Sequence, residues 1–196
     1  MKALKSIGDF LFKKNWKPIW ELMYGGAKGR GKSFLGCRFA WLFTNWVSDY
    51  FDLKPTDRPL PVFFMGRKEG TVFSTTTLVS WSKAIPRDMY EIKEQKKQII
   101  INKRACIHYG GMDDNSVINR FNSAEYAGYF IDQPEECTER DVGMVRGTLR
   151  LRHNGKTPPY RGILTPNPSE CWLLDSFIDN PQKNTEYIQA LYTDNP

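Results

Sequence analysis

The sequence predicts an α/β protein with a mostly parallel central sheet, flanked by helices and carrying a small antiparallel hairpin. Three observations predict it. Strand-like and helix-like segments alternate along the chain, the order that lays parallel strands side by side. A glycine-rich loop, Gly25–Gly31, separates a short strand from a long apolar helix. A second apolar run, Gly128–Ile131, is short and uninterrupted and ends in Asp132, as a strand covered on both faces does.

The elements follow in order. A strand over Ile19–Tyr24 leads into the loop, and the helix runs from Lys32 to about Ser48. Its apolar stretch Phe34–Val47 is interrupted by Arg38, Thr44 and Asn45, so it reads as a buried helix and not as a membrane span. The loop Asp52–Pro61, with Pro55, Pro59 and Pro61, feeds a strand at Val62–Met65. Ser74–Ala84 reads as a helix that stops before Pro86. Gln98–Asn102 and Ala105–Tyr109 are short strands joined by a basic turn and form the hairpin. Thr138 to about Leu151 is expected to be helical, Gly162–Thr165 a strand, and Cys171–Phe177 and Thr185–Tyr192 helices.

Composition narrows the function classes. The chain has 196 residues, 40% of them hydrophobic and 26% charged, enough for one sizeable core, and residues 1–196 are expected to form a single domain. The start, Met1 to Ser6, lacks the apolar region of a secretory signal. Cys37, Cys106, Cys137 and Cys171 are scattered without a CxxC pair, and His108 and His153 are not spaced to join them around zinc. The cysteines are expected to be reduced and to act as small apolar residues. A net charge of +6 suits a phosphate-rich partner without identifying one. Asp113-Asp114, after Gly110-Gly111, reads as a turn and not as a nuclease metal pair.

The chemistry concentrates in the glycine loop. Gly26-Ala27-Lys28-Gly29-Arg30-Gly31-Lys32-Ser33 fits the phosphate-loop pattern G-x-x-x-x-G-K-[ST] at every fixed position. Glycines let successive backbone N–H groups turn inward around a phosphate, and the helix that follows adds the positive end of its dipole. Lys32 is expected to reach the β- and γ-phosphates of ATP, and the Ser33 hydroxyl to ligate Mg²⁺. A strand before and a helix after supply the context the pattern needs.

Tyr129-Phe130-Ile131-Asp132 matches the second segment such a site requires, an apolar strand with a carboxylate at its tip to hold the magnesium shell. Parallel sheets bind ligands at the C-terminal ends of their strands, which places Asp132 beside the loop. The water-activating group is less direct, because Gln133 occupies the position after the Asp where many such ATPases carry Glu. Glu135 and Glu136 follow after Pro134. If the chain stays extended, Glu135 shares a face with Gln133, making Glu135 the base and Gln133 the group that orients the water. The alternative is that Glu135 and Glu136 are surface acids opening the next helix. A third strand closes with Ile163-Leu164-Thr165-Pro166-Asn167-Pro168, whose short polar side chains at the strand tip suit sensing of a γ-phosphate, or simply mark the exit from strand to loop.

In these three blocks the chain resembles the ATPase half of the bacteriophage large terminases, from about Trp20 onward. The phosphate loop is similar to that family's Gly-Gly-Arg-Gly-x-Gly-Lys-Ser form, with Lys28 where the family commonly has Arg and Arg30 nearby. Asp132 with its trailing acids resembles the Walker B segment. Leu164 to Pro168, with Trp172, Leu173 and Phe177 downstream, resembles the coupling motif, whose Thr and Asn fall on Thr165 and Asn167.

The resemblance implies a P-loop fold of the ASCE type that hydrolyses ATP to translocate double-stranded DNA into a capsid. It implies a homo-oligomeric ring on the capsid portal, a small terminase partner and action in the cytoplasm of the bacterial host. It also implies an arginine donated by a neighbouring subunit, for which Arg120 is the nearest match, with Arg150 and Arg152 as alternates. A nuclease domain that usually follows is expected to be missing. Lys93, Lys96, Lys97, Lys103 and Arg104 are candidates to face DNA, or form a solvated basic surface. Trp16, Lys17 and Trp20 are candidates for the adenine pocket. Two other readings stay open, a small P-loop kinase and an assembly module that binds ATP with little hydrolysis.

Overall fold

The computed structural model describes residues 20–29, 31–113 and 123–190. The first strand, β1 (Glu21–Gly26), passes through the glycine loop into α1 (Lys32–Tyr50). Strand β2 (Leu60–Arg67) follows. Next comes a helical stretch made of Gly70–Val72, a π-helical turn at Phe73–Thr77, and α2 (Leu78–Ala84). Three short strands come next, β3 (Tyr90–Lys93), β4 (Gln98–Ile101) and β5 (Ala105–Gly111). Strand β6 (Gly128–Asp132) leads through a 3₁₀ turn at Pro134–Glu136 into α3 (Glu139–Gly147). Strand β7 (Arg161–Thr165), two short helical turns at Trp172–Leu174 and Asp175–Asp179, and β8 (Thr185–Ala190) complete the order.

The eight strands of the described residues join one sheet in the order β3-β4-β5-β2-β6-β7-β1-β8. The pairings from β5 through to β8 are parallel, and β3-β4 and β4-β5 are antiparallel. The expected hairpin is therefore present at one edge, with β3 added outside it. The C-terminal ends of β6, β7 and β1 lie side by side, and the chain's phosphate-loop and acidic motifs sit on those ends.

Helix α1 shows why the site is held rigidly. Leu35, Phe39, Phe43 and Val47 recur every four residues and are buried, with Phe39 and Phe43 stacked at 5.7 Å between ring centroids. Gly36 lies so close to the sheet that a Cβ there would fall 2.3 Å from the Phe130 ring. The helix carrying Lys32 and Ser33 is thus pressed directly onto the strand carrying Asp132, and any side chain at position 36 would force them apart.

The opposite face of the sheet is covered by α3 and the turns after β7, which bury Met23, Tyr129, Ile131, Leu164, Leu173 and Phe177 in a second apolar cluster. A charge pair lies inside it. Glu21 is fully buried and accepts from Arg146 through both oxygens, at 2.7 and 3.1 Å, and from the Tyr129 hydroxyl. The rings of Trp20 and Trp172 lie against the Arg146 guanidinium at 5.8 and 5.7 Å. Burial and the adjacent Glu21 carboxylate also drive the Tyr129 hydroxyl well above its ordinary range.

Two expected elements are corrected. Thr185–Ala190 is a strand and not a helix, because its six residues pair in register with β1 from Glu21 to Gly26. Helix α3 begins behind the expected Thr138 cap, where a capping box with Asp141 closes its first turn, but it ends at Gly147 and not at Leu151. The run Leu149 to Arg152 lies past the helix, and Leu149 bridges Tyr126 in parallel. Cys37, Cys106 and Cys137 are buried and free, as expected, and burial pushes the thiols of Cys106 and Cys137 up to about 12, as inert apolar residues require. Among the described residues no helix is long and apolar enough to cross a membrane.

Candidate active site

The loop between β1 and α1 opens with Gly26 at φ 135° and passes Gly29 at 75° and Gly31 at 67°, backbone angles that side chains with a Cβ rarely adopt. The first hydrogen bond of α1 is Leu35 N–H to the Gly31 carbonyl at 2.8 Å, so the amides of Ser33 and Phe34 have no acceptor within the helix. Lys32 is 6% exposed, and its ammonium donates to the carbonyls of Gly26 at 3.1 Å and Ala27 at 2.8 Å. A buried cation and outward-facing amides thus converge on the inside of one loop. That is the electrostatic form of an anion site.

Asp132, at the tip of β6, closes the other side. Its Oδ1 accepts from Ser33 Oγ at 2.9 Å and from Thr165 Oγ1 at 2.9 Å, and its Oδ2 from Thr77 Oγ1 at 2.7 Å. Three elements therefore meet at one carboxylate that is 2% exposed. Ser33, Asp132 and Thr165, three of the sequence candidates, are thus brought together, with Ser33 and Thr165 each donating to Asp132. Thr77 is an addition that the sequence motifs do not name. It lies on the π-helical turn, a local widening that recurs at functional sites. Its sequence signal is the run Ser74-Thr75-Thr76-Thr77, four hydroxyl residues in succession within a predicted helix they do not favour.

These groups line a cleft of about 610 Å³ that includes Lys28, Gly29, Gly31, Lys32, Ser33, Asp132, Gln133, Thr165 and Asn167. Phe34, and Ser80 and Lys83 of α2, also line it. Oxygen donors beside a single carboxylate fit Mg²⁺, which takes few protein ligands and completes its shell from phosphate and water. No cluster of three or more His, Cys, Asp or Glu able to hold a metal occurs among the described residues.

The three candidates after Asp132 separate in the structure. The chain does not stay extended: Gln133 is left-handed, with φ 53° and ψ 56°, and Pro134–Glu136 coil into a 3₁₀ turn. Gln133 lines the cleft, and its Oε1 is buried without a hydrogen-bond partner. Glu135 stands behind it. Its Oε1 accepts from the backbone N–H of Asn167 at 3.1 Å, and its Oε2 is buried and unpartnered. Burial raises the Glu135 carboxyl above its ordinary range, partly offset by that Asn167 N–H. Glu136 turns outward into a two-pronged ion pair with Arg67, at 2.6 and 2.9 Å. Its carboxylate is thereby committed to β2.

Of the remaining candidates, Gly26 to Gly29, Gly31, Lys32, Ser33, Thr165 and Asn167 surround the cleft or its neighbour. Arg30, Arg120, Asp114, Trp16 and Lys17 lie outside the described residues. Trp20 packs on the far sheet face against Arg146, away from the cleft. Arg150 pairs with Glu125 at 3.4 Å. In the basic hairpin, Arg104 is bound to Asp49 at 2.7 Å, and Lys97 lies against the Tyr109 ring at 5.8 Å. A second pocket of about 850 Å³ adjoins the loop on the other face, lined largely by apolar residues with Asn167, Tyr187 and Gln189.

No protein-family model matches the chain, and no curated protein matches it. Solved structures do. The large terminase of a thermophilic bacteriophage matches with a TM-score of 0.70 at 18% identity, over 99% of this chain and 46% of that one. The same terminase in another crystal form gives 0.67 at 16% identity, over 99% and 45% of the two chains. Its complex with ADP gives 0.64 at 17% identity, over 99% and 46%. The chain therefore shares the fold of these structures and spans less than half their length.

Proposed function

We propose that this chain is the ATP-hydrolysing motor domain of a phage DNA-packaging machine. The observation that carries the proposal is the contact of Ser33 Oγ with Asp132 Oδ1 at 2.9 Å, which brings the phosphate loop and the acidic strand end into one cleft. The fold shared with the large terminase of the thermophilic phage, seen in one structure with ADP, supports the same reading.

In this reading the loop amides and Lys32 hold the β- and γ-phosphates of ATP, and Ser33 and Asp132 hold Mg²⁺, which supplies neutralisation of the phosphate charge. Gln133, which lines the cleft and whose Oε1 has no hydrogen-bond partner, orients the attacking water. Glu135, made more basic by burial, takes the proton. The same Glu135 carboxylate grips the Asn167 backbone, so loss of the γ-phosphate is passed to the loop after β7. Lys28 supplies a point charge where a guanidinium fork is absent. A neighbouring subunit in a ring supplies an arginine, with Arg120 the candidate.

Double-stranded DNA, a capsid portal and a small terminase are the partners this reading expects, in the cytoplasm of the bacterial host. The basic residues of the edge strands (Lys93, Lys96, Lys97, Lys103 and Arg104) are its candidate DNA contacts, Arg104 being paired with Asp49 and Lys93 with Glu91.

One observation favours a second reading, an assembly module that binds ATP and cleaves it slowly. The cleft is lined by Gln133, whereas the carboxylate of Glu135 is held away by Asn167. Phosphate release by the wild-type chain, Lys32→Ala and Glu135→Ala, with and without double-stranded DNA, separates the readings. The motor predicts DNA-stimulated release that Lys32→Ala abolishes, by about a hundredfold or more. Nucleotide binding with no release in any condition favours the assembly module. Transfer of phosphate to a small acceptor would show a kinase instead.

A further inference from the structure

Phe34 is an unusual residue to find in the open. It is 41% exposed, it follows Ser33 directly, and it lines the phosphate cleft. The next turn of α1 places the Arg38 guanidinium against its ring, 5.4 Å from the centroid. The cleft is graded: Asp132 and Thr165 are almost fully buried, Ser80 is half-buried, and Phe34, Lys83 and the loop residues Lys28, Gly29 and Gly31 are exposed.

The buried floor and the free amides of the first turn of α1 together give a direction to a bound chain of phosphates. The terminal phosphate belongs at the floor, beside Asp132, Thr165 and Asn167. Successive phosphates then run along the loop amides toward the last outward-facing one, that of Phe34. The group attached beyond the last phosphate emerges beside the Phe34 ring. An aromatic face flanked by a guanidinium is a stacking platform for a flat heteroaromatic base, and Ser80 and Lys83 line the same cleft with donors suited to ribose hydroxyls.

We propose that Phe34, backed by Arg38, is the nucleobase platform of this chain, which makes its ligand a nucleoside di- or triphosphate and not a bare polyphosphate. The assignment rests on the phosphate-cleft reading given above. It competes with one other place for the base, the apolar pocket on the far side of the loop, where the Tyr187 ring and the Gln189 amide could receive a planar group. Two features favour Phe34. Its ring shares the cleft with Lys32, Ser33 and Asp132, and it belongs to the residue whose own amide ends the phosphate run.

The test is calorimetric titration of the full chain with Mg²⁺ and either ADP or inorganic tripolyphosphate, which carries the charge without the base. The variants are Phe34→Ala, Phe34→Trp, Tyr187→Ala and Lys32→Ala. Because Phe34 is exposed, its replacement leaves the melting temperature unchanged. The expected result is that Phe34→Ala weakens ADP by about tenfold to a hundredfold, leaves tripolyphosphate at its wild-type affinity, and is rescued by Phe34→Trp. Tyr187→Ala binds both ligands normally. The proposal is overturned if Phe34→Ala binds ADP as the wild type does, if it loses ADP and tripolyphosphate equally, or if Tyr187→Ala is the variant that selectively loses ADP. Failure of the underlying reading looks different: Lys32→Ala would then bind tripolyphosphate as well as the wild type, or the wild type would bind neither ligand, and the platform falls with it.

Discussion

Two carboxylates on strands of this sheet have opposite fates. Glu21, on β1, is fully buried and neutralised from within by the Arg146 guanidinium and the Tyr129 hydroxyl, between two tryptophan rings. Asp132, on β6, is as deeply placed, yet its described hydrogen-bond partners are three neutral hydroxyls, from Ser33, Thr77 and Thr165. Removing a carboxylate from water is tolerated only when something restores its interactions. At Glu21 the protein supplies a counter-charge. At Asp132 it supplies dipoles and leaves the charge to be met across an open cleft. A buried acid paired internally holds a fold together, and one held by neutral donors at a strand tip still has its charge open to a cation, which suits the Mg²⁺ role proposed for Asp132.

Mutations can break that contrast. The largest effect is expected from Arg146→Ala, which strands Glu21 uncompensated and costs roughly 3–5 kcal/mol of stability, on the order of 6–20 °C in melting temperature. Chemical denaturation checks the loss, and hydrolysis per folded molecule should survive. A melting temperature within a few degrees of wild type would mean that Glu21 is no more committed than Asp132.

Asp132→Asn should do the reverse. It removes the charge that fits a metal while keeping a side chain of the same shape, so magnesium-dependent turnover falls by about a hundredfold or more and the melting temperature stays level or rises. An unchanged magnesium titration would erase the distinction between the two acids. Thr77→Val, which deletes one of the three hydroxyls, is expected to weaken the magnesium dependence by roughly tenfold without loss of fold. An equal effect on stability and on magnesium would show Thr77 to be merely a packing residue.

The smallest effect sharpens the comparison with a third acid. Glu135 has neither a counter-charge nor a full set of donors, and burial raises its carboxyl above the ordinary range. The folded chain therefore binds a proton there more readily than the unfolded chain. Stability from this group is full below the ordinary glutamate range and is lost as pH rises through the raised value. Glu135→Gln should accordingly lift the melting temperature by a few degrees at about pH 8 and not at about pH 4. In single-turnover hydrolysis, the rise in rate with pH through that raised range should flatten in the same variant. A melting profile parallel to wild type at both pH values would place Glu135 in an ordinary solvated setting.

Much of the site is legible in the chain's own letters. The loop from Gly26 to Ser33 is written as a contiguous pattern in which each position has a local physical reason, and the structure adds only its angles. Asp132 is legible because an uninterrupted apolar run must be buried, and a lone acid at its end then has to sit at the strand tip. Thr77 is harder, since its role depends on a π-helical turn that the hydroxyl run hints at without specifying. Glu135 escapes the alternation argument, which holds only for extended chain. Gln133 turns left-handed before Pro134, and the alternation of faces stops there. Glu21 gives no sign of its burial, because its partner lies far along the sequence on α3.

By itself the sequence determined the alternating α/β order, the phosphate loop and the acid that faces it, since these depend on residues adjacent in the chain. Only the tertiary structure decided the rest. Thr185–Ala190 has the β-branched and aromatic content of a strand and also spacing compatible with a helix, and six residues of register beside β1 settle it. The exposure of Phe34, the pairing of Arg146 with Glu21 and the meeting of Thr77 with Asp132 were fixed the same way. Each depends on segments distant in sequence brought within a few ångströms, and no local propensity encodes such a distance.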